Sequence, residues 1–187
     1  MRSSTKYHRK KSRKPYFLQR RKFMTTFYYC TPEWLKESAR AYRSNPKAKE
    51  KLKKLSGKMV YRVKAEPSWG IEKDVYFCLF FEQGELIRLE LVSEEEGKRE
   101  AEFLMGATPQ AWKKILRKEN KFITDFMLGK IKLEKGSKLG VLSVAPHANN
   151  VIELLTSVEL VFPDELSKDE FELYKANMKS FRKELGV

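Results

Sequence analysis

Five segments between residues 58 and 136 are predicted to be β-strands. In four of them, at 58–64, 87–91, 101–105 and 129–136, apolar residues recur with the period of two that half-buried strands require, although Val60 interrupts the alternation with polar residues in the first. The fifth, at 75–81, is apolar at every position, which predicts a central strand covered on both faces. Because short turns connect most of these segments, most neighbouring strands are expected to pair antiparallel.

Two details of this region are expected from the pattern alone. The alternation is cleanest at 87–91, where Ile87, Leu89 and Leu91 are predicted to share one apolar face. The acidic residues that follow, at 94–98, are predicted to form a charged turn before the next strand.

Helices are predicted on both sides of the strand region, where apolar residues recur every three or four positions. Thr31 and Thr108 are each followed by proline, a typical helix start. Ser167 and Glu170 form a capping box before the last helix. The predicted helices lie at 32–45, 46–55, 109–119, 122–128, 148–155 and 167–185, and residues 139–145 fit either a strand or a helix.

The order of these elements predicts an α+β fold, in which helices cover a five-stranded, mostly antiparallel sheet. The last helix has a regular apolar stripe that must pack against the protein's own core or against a partner subunit. The stripe consists of Phe171, Tyr174, Met178, Phe181 and Leu185. The pattern leaves the oligomeric state open.

Positive charge is concentrated at the N-terminus. The chain has 187 residues and a formal net charge of +14. Residues 1–23 contain ten Lys and Arg and no acidic side chain, whereas the remaining 164 residues carry 29 basic and 25 acidic ones. We expect a flexible basic tail at 1–23, able to contact nucleic acid or an anionic membrane weakly, and a single domain at 24–187. Met24 offers an alternative start, which leaves open whether the tail belongs to the native protein.

The sequence lacks the patterns of several other protein classes. Its longest apolar run is seven residues, whereas a transmembrane helix needs roughly twenty. The basic N-terminus lacks the apolar stretch of a secretory signal, and the two isolated cysteines, Cys30 and Cys78, favour a reducing cytoplasmic location. No His/Cys cluster, phosphate-binding glycine loop or Ser–His–Asp pattern occurs. We therefore expect a non-enzymatic binding protein with no catalytic residues, metal or other cofactor. The Lys- and Glu-rich body is typical of thermophilic proteins.

Large apolar side chains are concentrated between residues 77 and 127. A filled core explains each of them individually, but aromatic and methionine side chains also line clefts for apolar ligands. Periodicity does not distinguish a filled core from a lined tunnel.

The stretch from residue 58 to 155 resembles the sterol carrier protein 2 domain. The resemblance rests on the order of elements, on the helix at 46–55 that ends in "LSGK", and on three short motifs. These are Trp112-x-x-Ile115-Leu116, Phe126-Met127-Leu128 and Gly129-Lys130-Ile131-Lys132-Leu133. Two features depart from that family, the longer segment after Gly136 and the extra helix from Ser167, and both affect the closing end of the expected tunnel.

The resemblance implies an apolar tunnel between sheet and helices that carries a fatty acyl chain, an acyl-CoA or another lipid without covalent chemistry. The alternative is a nucleic-acid-associated protein that binds through the basic tail. A third hypothesis is an accessory domain that presents an apolar substrate to an enzyme. For the first hypothesis, the expected ligand contacts are Phe77, Leu79, Phe81, Ile87, Leu89, Leu91, Phe103, Met105, Trp112, Leu116, Phe122, Phe126, Met127 and Ile131.

Overall fold

The computed structural model describes residues 26–187, and its centre is a five-stranded sheet. The strands are β2 (Gly57–Val63), β3 (Val75–Glu82), β4 (Glu85–Val92), β5 (Phe103–Ala107) and β6 (Lys132–Lys135), in the spatial order β4-β3-β2-β5-β6. All neighbours pair antiparallel except β2 and β5, which are parallel. The predicted α+β fold with a mostly antiparallel sheet is confirmed. The predicted tail, and with it any contact of the tail with nucleic acid or membrane, lies outside the described residues.

Helices and a second, small sheet surround the central sheet. A short parallel pair joins β1 (Thr26–Tyr28) to β7 (Glu159–Val161). Along the described part of the chain the helices are α1 (Pro32–Arg43), α2 (Pro46–Leu52), α3 (Glu94–Glu100), α4 (Pro109–Leu116), α5 (Phe122–Met127), α6 (Lys138–Val144), α7 (Ala148–Leu155) and α8 (Lys168–Leu185). The Thr31 and Thr108 side chains cap α1 and α4 as predicted, and Ser167 and Glu170 form the capping box of α8. Of residues 139–145, which fitted either structure, 139–144 lie in the helix α6 and Ala145 begins the 3-10 turn that follows it.

The two faces of the sheet carry separate cores. On the first face, strand register aligns Tyr61 of β2 with Phe77 of β3 and with Met105 of β5. These side chains join the larger hydrophobic core, to which helices other than α3 contribute. The second face carries a smaller cluster that includes Val60, Cys78 and Phe80. The prediction that β3 is buried on both faces is therefore confirmed.

The acidic segment after β4 is a helix, so its prediction as a charged turn was wrong. Ser93 caps α3, and Gly97 is its buried residue. A Cβ atom at Gly97 would lie 3.2 Å from Val60 Cγ1, so the glycine allows the helix to lie directly on the second face of the sheet. The helix shows no apolar stripe because it contacts the sheet through a glycine. It also carries the crossover that brings β5 parallel to β2.

The alternation predicted that Ile87 shares one face with Leu89 and Leu91, and this was wrong. A β-bulge between β3 and β4 separates them. The register shifts between Phe80 and Phe81, and Phe81 pairs with Leu86 while Phe80 pairs with Arg88. Ile87 is the extra residue, and its side chain is 52% exposed. Leu86 takes the buried place instead.

The C-terminal helix α8 packs on the core through the middle of its predicted stripe. Tyr174 and Met178 are buried, and the Tyr174 hydroxyl donates a hydrogen bond to the Tyr29 carbonyl at 3.0 Å. Phe171 and Phe181 are partly buried, while Leu185 at the end of the stripe is 52% exposed. The helix therefore packs on the protein's own core from Phe171 to Phe181.

Candidate apolar ligand site

A cavity of about 50 Å³ lies between the first face of the sheet and the helices that cover it. Strands β2, β3 and β5 form its floor, while α4, α5, α7 and the end of α6 form its walls. Its lining residues are Tyr29, Leu55, Met59, Tyr61, Phe77, Met105, Trp112, Ile115, Leu116, Phe122, Val144, Ala148, Val151, Ile152 and Leu155. All its lining residues except Tyr29 lie in the parts of the sequence that carry the resemblance to the sterol carrier protein 2 domain.

The floor and the α4 wall are joined by the Trp112 indole. Its Nε1–H donates to the backbone carbonyl of Arg62 at 3.0 Å, which ties α4 to β2. Its ring meets the Tyr61 ring edge-on, with the centroids 5.5 Å apart. Tyr61 in turn stacks on Phe77 at 5.2 Å. The floor is therefore built from aromatic rings that hold each other in position.

The α7 wall is held by a second buried tryptophan, Trp34 of α1. Its Nε1–H donates to the Leu155 carbonyl at the end of α7, at 2.7 Å. The Ser38 hydroxyl donates to the same carbonyl at 3.4 Å. Trp34 also contacts Phe77 edge-on at 5.8 Å, so α1, the sheet and α7 meet at one side chain.

The α5 wall depends on a buried carboxylate. Asp125 is 1% exposed and accepts hydrogen bonds from Asn120 Nδ2 at 2.7 Å and from Lys130 Nζ at 3.2 Å. The backbone N–H groups of Lys130 and Ile131 donate to the Asp125 carbonyl. These bonds fix the turn between α5 and β6, which keeps Phe122 at the cavity.

Among the described residues that line the cavity, none has a charged side chain, and the surface they present is almost entirely apolar. Three of them contain a nitrogen or oxygen atom in the side chain: Trp112, whose indole nitrogen is paired, Tyr29 and Tyr61. Burial raises the pKa of both tyrosines above the ordinary value for a phenol, so both stay neutral. His147 lies one residue before Ala148 and has a buried Nδ1 to which none of residues 26–187 forms a hydrogen bond, but it is not among the lining residues. Such a wall suits an uncharged apolar group held by its removal from water.

Of the residues expected to contact a ligand, five line this cavity: Phe77, Met105, Trp112, Leu116 and Phe122. Seven others lie elsewhere in the core, namely Leu79, Phe81, Leu89, Leu91, Phe103, Phe126 and Ile131. Ile87 and Met127 are on the surface, 52% and 69% exposed. Leu89 and Leu91 lie near α1 residues such as Pro32 and Ala39, which places them at the β4 edge of the sheet, away from the cavity.

Sequence reasoning missed ten of the lining residues. Met59 and Tyr61 are two positions apart in the strand at 58–64, so the sequence predicts that they share one face. It does not predict which helix covers that face. The stripe of Ala148, Val151, Ile152 and Leu155 was also recognised as a helix face. Tyr29 carries no local signal, because it reaches the cavity from a turn beside the second sheet.

The cavity is smaller than a ligand pocket. Pockets that enclose small molecules measure roughly 300–1,000 Å³, against about 50 Å³ here. The helix next to the cavity is held weakly: Val141 is the buried residue of α6, whereas Leu139 and Leu142 are 70% and 44% exposed. Because α6 buries so few apolar side chains, a movement of this helix would enlarge the cavity with little loss of buried apolar area.

Among residues 26–187, no helix is both long enough and apolar enough to cross a membrane. Within the same residues, no group of three or more His, Cys, Asp or Glu side chains is arranged to hold a metal ion.

Comparisons with known proteins identify the fold. No protein-family model matches the sequence, and no curated protein matches it. The crystal structure of a sterol carrier protein 2 is similar with a TM-score of 0.56 and 23% identity, over 70% of this chain and 97% of that chain. A conserved hypothetical protein from Thermus thermophilus, suggested to be a sterol carrier protein, is similar with a TM-score of 0.61 and 21% identity, over 70% of this chain and 90% of that one. The resemblance seen in the sequence is therefore confirmed at the level of structure: residues 26–187 contain the fold of sterol carrier protein 2.

Proposed function

We propose that this protein binds the apolar part of a lipid, such as a fatty acyl chain or an acyl-CoA, in the cavity and carries it without chemical change. The observation that carries the proposal is a wholly uncharged, apolar-lined cavity between sheet and helices in a sterol carrier fold. Each methylene group moved from water into such a site contributes about 0.8 kcal/mol. The affinity would therefore come from burial, and it would rise with chain length.

Binding of a whole acyl chain requires the cavity to expand. We expect α6 to move, because it has little buried apolar surface and connects the sheet edge strand β6 to the cavity wall α7. The half-buried Val144 at the end of α6 lines the cavity, so a displacement of this helix opens the wall directly. The exposed Leu139 and Leu142 then have apolar ligand atoms to contact.

The chemistry of the wall supports carriage rather than catalysis. No carboxylate, imidazole, thiol or ammonium group is among the described lining residues, and burial raises the pKa of the two phenols, which makes them poor bases. General acid–base or nucleophilic catalysis needs a group of that kind within reach of the substrate.

The test is a binding titration with a fluorescent fatty acid, with one variant inside the cavity and a matched one outside it. Val151 lines the cavity from α7, whereas Leu89 is equally buried in the core near α1. Val151→Trp is expected to fill the cavity and abolish binding. Leu89→Trp is expected to bind like the wild type, although overpacking destabilises it by about 1–3 kcal/mol.

Failure of the wild type to bind any fluorescent fatty acid would refute the proposal. Equal loss of binding in the two variants, both still folded by circular dichroism, would place the site elsewhere. Native mass spectrometry of the freshly purified protein checks the same point independently, because a carrier is expected to retain a lipid-sized mass.

A further inference from the structure

We propose that the protein docks on anionic lipid bilayers through the surface around the edge strand β6, where apolar side chains enter the lipid and lysines contact its headgroups. This surface, the β6 face, comprises Met127 and Leu128 at the end of α5, strand β6 with its flanking lysines, and the exposed side of α6. The inference rests on the proposed function for the purpose of docking, which is the exchange of lipid beside the cavity.

Exposed apolar side chains are concentrated in the β6 face. Met127 and Leu128 are 69% and 66% exposed, and Leu139 and Leu142 on α6 are 70% and 44% exposed. The described residues contain seven exposed large apolar side chains, and these four lie within residues 127–142. Such a concentration of apolar groups in water marks a contact surface.

The two apolar pairs lie at opposite ends of β6. The strand begins four residues after Leu128 and ends four residues before Leu139. Four residues of strand are about 13 Å long, so both pairs border one narrow stretch of surface. In the strand order β6 is the edge of the sheet beyond β5, so no other strand among residues 26–187 covers it.

The charge of the β6 face is positive. Residues 127–143 contain one acidic residue, Glu134, which pairs with Arg62 at 2.8 Å. They also contain four exposed lysines, Lys130, Lys132, Lys135 and Lys138. Lysines beside exposed apolar residues suit an anionic bilayer, because its surface potential attracts the cations while its hydrocarbon takes up the apolar groups. An uncharged partner surface would account for the leucines but not for the lysines.

Helix α6 connects the β6 face to the cavity. Its last residue, Val144, lines the cavity, and Val141 is its buried residue, whereas Leu139 and Leu142 are exposed. When these leucines enter a bilayer, an outward displacement of α6 brings its apolar side against lipid rather than water. Docking therefore favours the opened state that lipid uptake requires.

The experiment attaches the environment-sensitive fluorophore NBD to single introduced cysteines and adds vesicles at physiological salt. The native Cys30 and Cys78 are fully buried, so a cysteine introduced by Leu128→Cys or Leu142→Cys is labelled selectively. With vesicles of phosphatidylcholine and phosphatidylserine, we expect the NBD emission at both positions to rise about twofold or more, because the label leaves water. The control is Leu173→Cys on α8, an equally exposed site whose label is expected to change little.

Sedimentation with the same vesicles measures the contribution of the apolar side chains. The double variant Leu139→Gln, Leu142→Gln is expected to partition onto the vesicles about tenfold more weakly than the wild type. The matched double variant Leu173→Gln, Leu185→Gln on α8 is expected to partition like the wild type. Vesicles of phosphatidylcholine alone are expected to bind the wild type much more weakly, because they offer the lysines no net negative charge.

Three results would overturn the inference. The first is an unchanged NBD signal at either Leu128 or Leu142. The second is equal partitioning of the two double variants, which would show that other cations, such as those of residues 1–23, hold the protein at the bilayer. The third is a dimer in solution that the α6 variant converts to a monomer, with no response to vesicles, because the β6 face would then be a subunit interface.

The fatty acid titration separates this inference from the proposed function. Loss of docking with intact fatty acid binding refutes the β6 face alone. Docking without any fatty acid binding refutes the proposed function and leaves the β6 face as a membrane contact.

Discussion

Replacement of Trp34 by phenylalanine tests whether the cavity wall α7 is held by a single buried side chain. Trp34 is fully buried, and its indole N–H donates to the Leu155 carbonyl at 2.7 Å. Phenylalanine keeps the aromatic contact with Phe77 but loses this hydrogen bond and part of the ring. The substitution therefore removes the bond between α1 and the end of α7 and leaves a small void beside it.

The size of the effect follows from these two losses. A buried carbonyl deprived of its main donor costs about 1–3 kcal/mol. The lower part of that range applies, because the Ser38 hydroxyl still donates to Leu155 at 3.4 Å. The smaller ring gives up about three buried carbon-sized groups, or about 2 kcal/mol at about 0.8 kcal/mol each. We expect Trp34→Phe to lower the free energy of unfolding by about 3–4 kcal/mol, the sum of these two losses.

The assay is urea unfolding at 25 °C followed by circular dichroism, with Ser38→Ala as the matched control. Ser38→Ala removes the longer hydrogen bond to the same carbonyl and is expected to cost less than about 1 kcal/mol. Hydrogen exchange at the end of α7 should also become faster in Trp34→Phe than in the control. The reasoning is wrong if the two variants have the same stability, or if exchange in α7 is unchanged.

Two further predictions concern the second face of the sheet. Gly97→Val is expected to push α3 away from Val60 and to cost about 1–3 kcal/mol in a thermal or urea melt; an unchanged stability would show that α3 is not in close contact with the sheet. Stability is also expected to fall above about pH 9, because burial raises the pKa of Cys78 to about 11 and that of Tyr76 to about 12. The unfolded chain loses these protons first, so each group contributes a slope of about 1.4 kcal/mol per pH unit from its ordinary pKa up to its raised one. Urea unfolding between pH 8 and 11 measures the slope, and a flat profile would contradict the burial of these groups.

Local signals in the sequence determined most of the elements. The threonine–proline caps before α1 and α4 and the capping box before α8 depend on residues three positions apart, so they are readable without a fold. The continuous apolar run of β3 predicted a strand covered on both faces, as the structure shows. Together with the motifs around Trp112 and Gly129, these elements were sufficient to identify the sterol carrier fold.

Other features depended on contacts between distant residues. The helix α3 has no apolar periodicity, because it meets the sheet through Gly97, and a glycine in a charged segment looks like a turn. The bulge that exposes Ile87 arises from the pairing of β4 with β3, and no pattern within β4 marks it. A shift of one residue in register exchanges the two faces of a strand, so the alternation alone could not assign Ile87.

The candidate site shows the same division. Alternation placed Phe77 and Met105 on apolar strand faces, and helical spacing placed Trp112, Leu116 and Phe122 on an apolar helix face. Which of these surround a cavity and which fill the core was decided by the sheet order, because it sets α4 and α7 over the central strands and α1 over β4. Tyr29 joins the cavity through the pairing of β1 with β7, two strands of three residues each. Segments this short carry no periodicity of their own, and only the tertiary structure brings Tyr29 to the cavity.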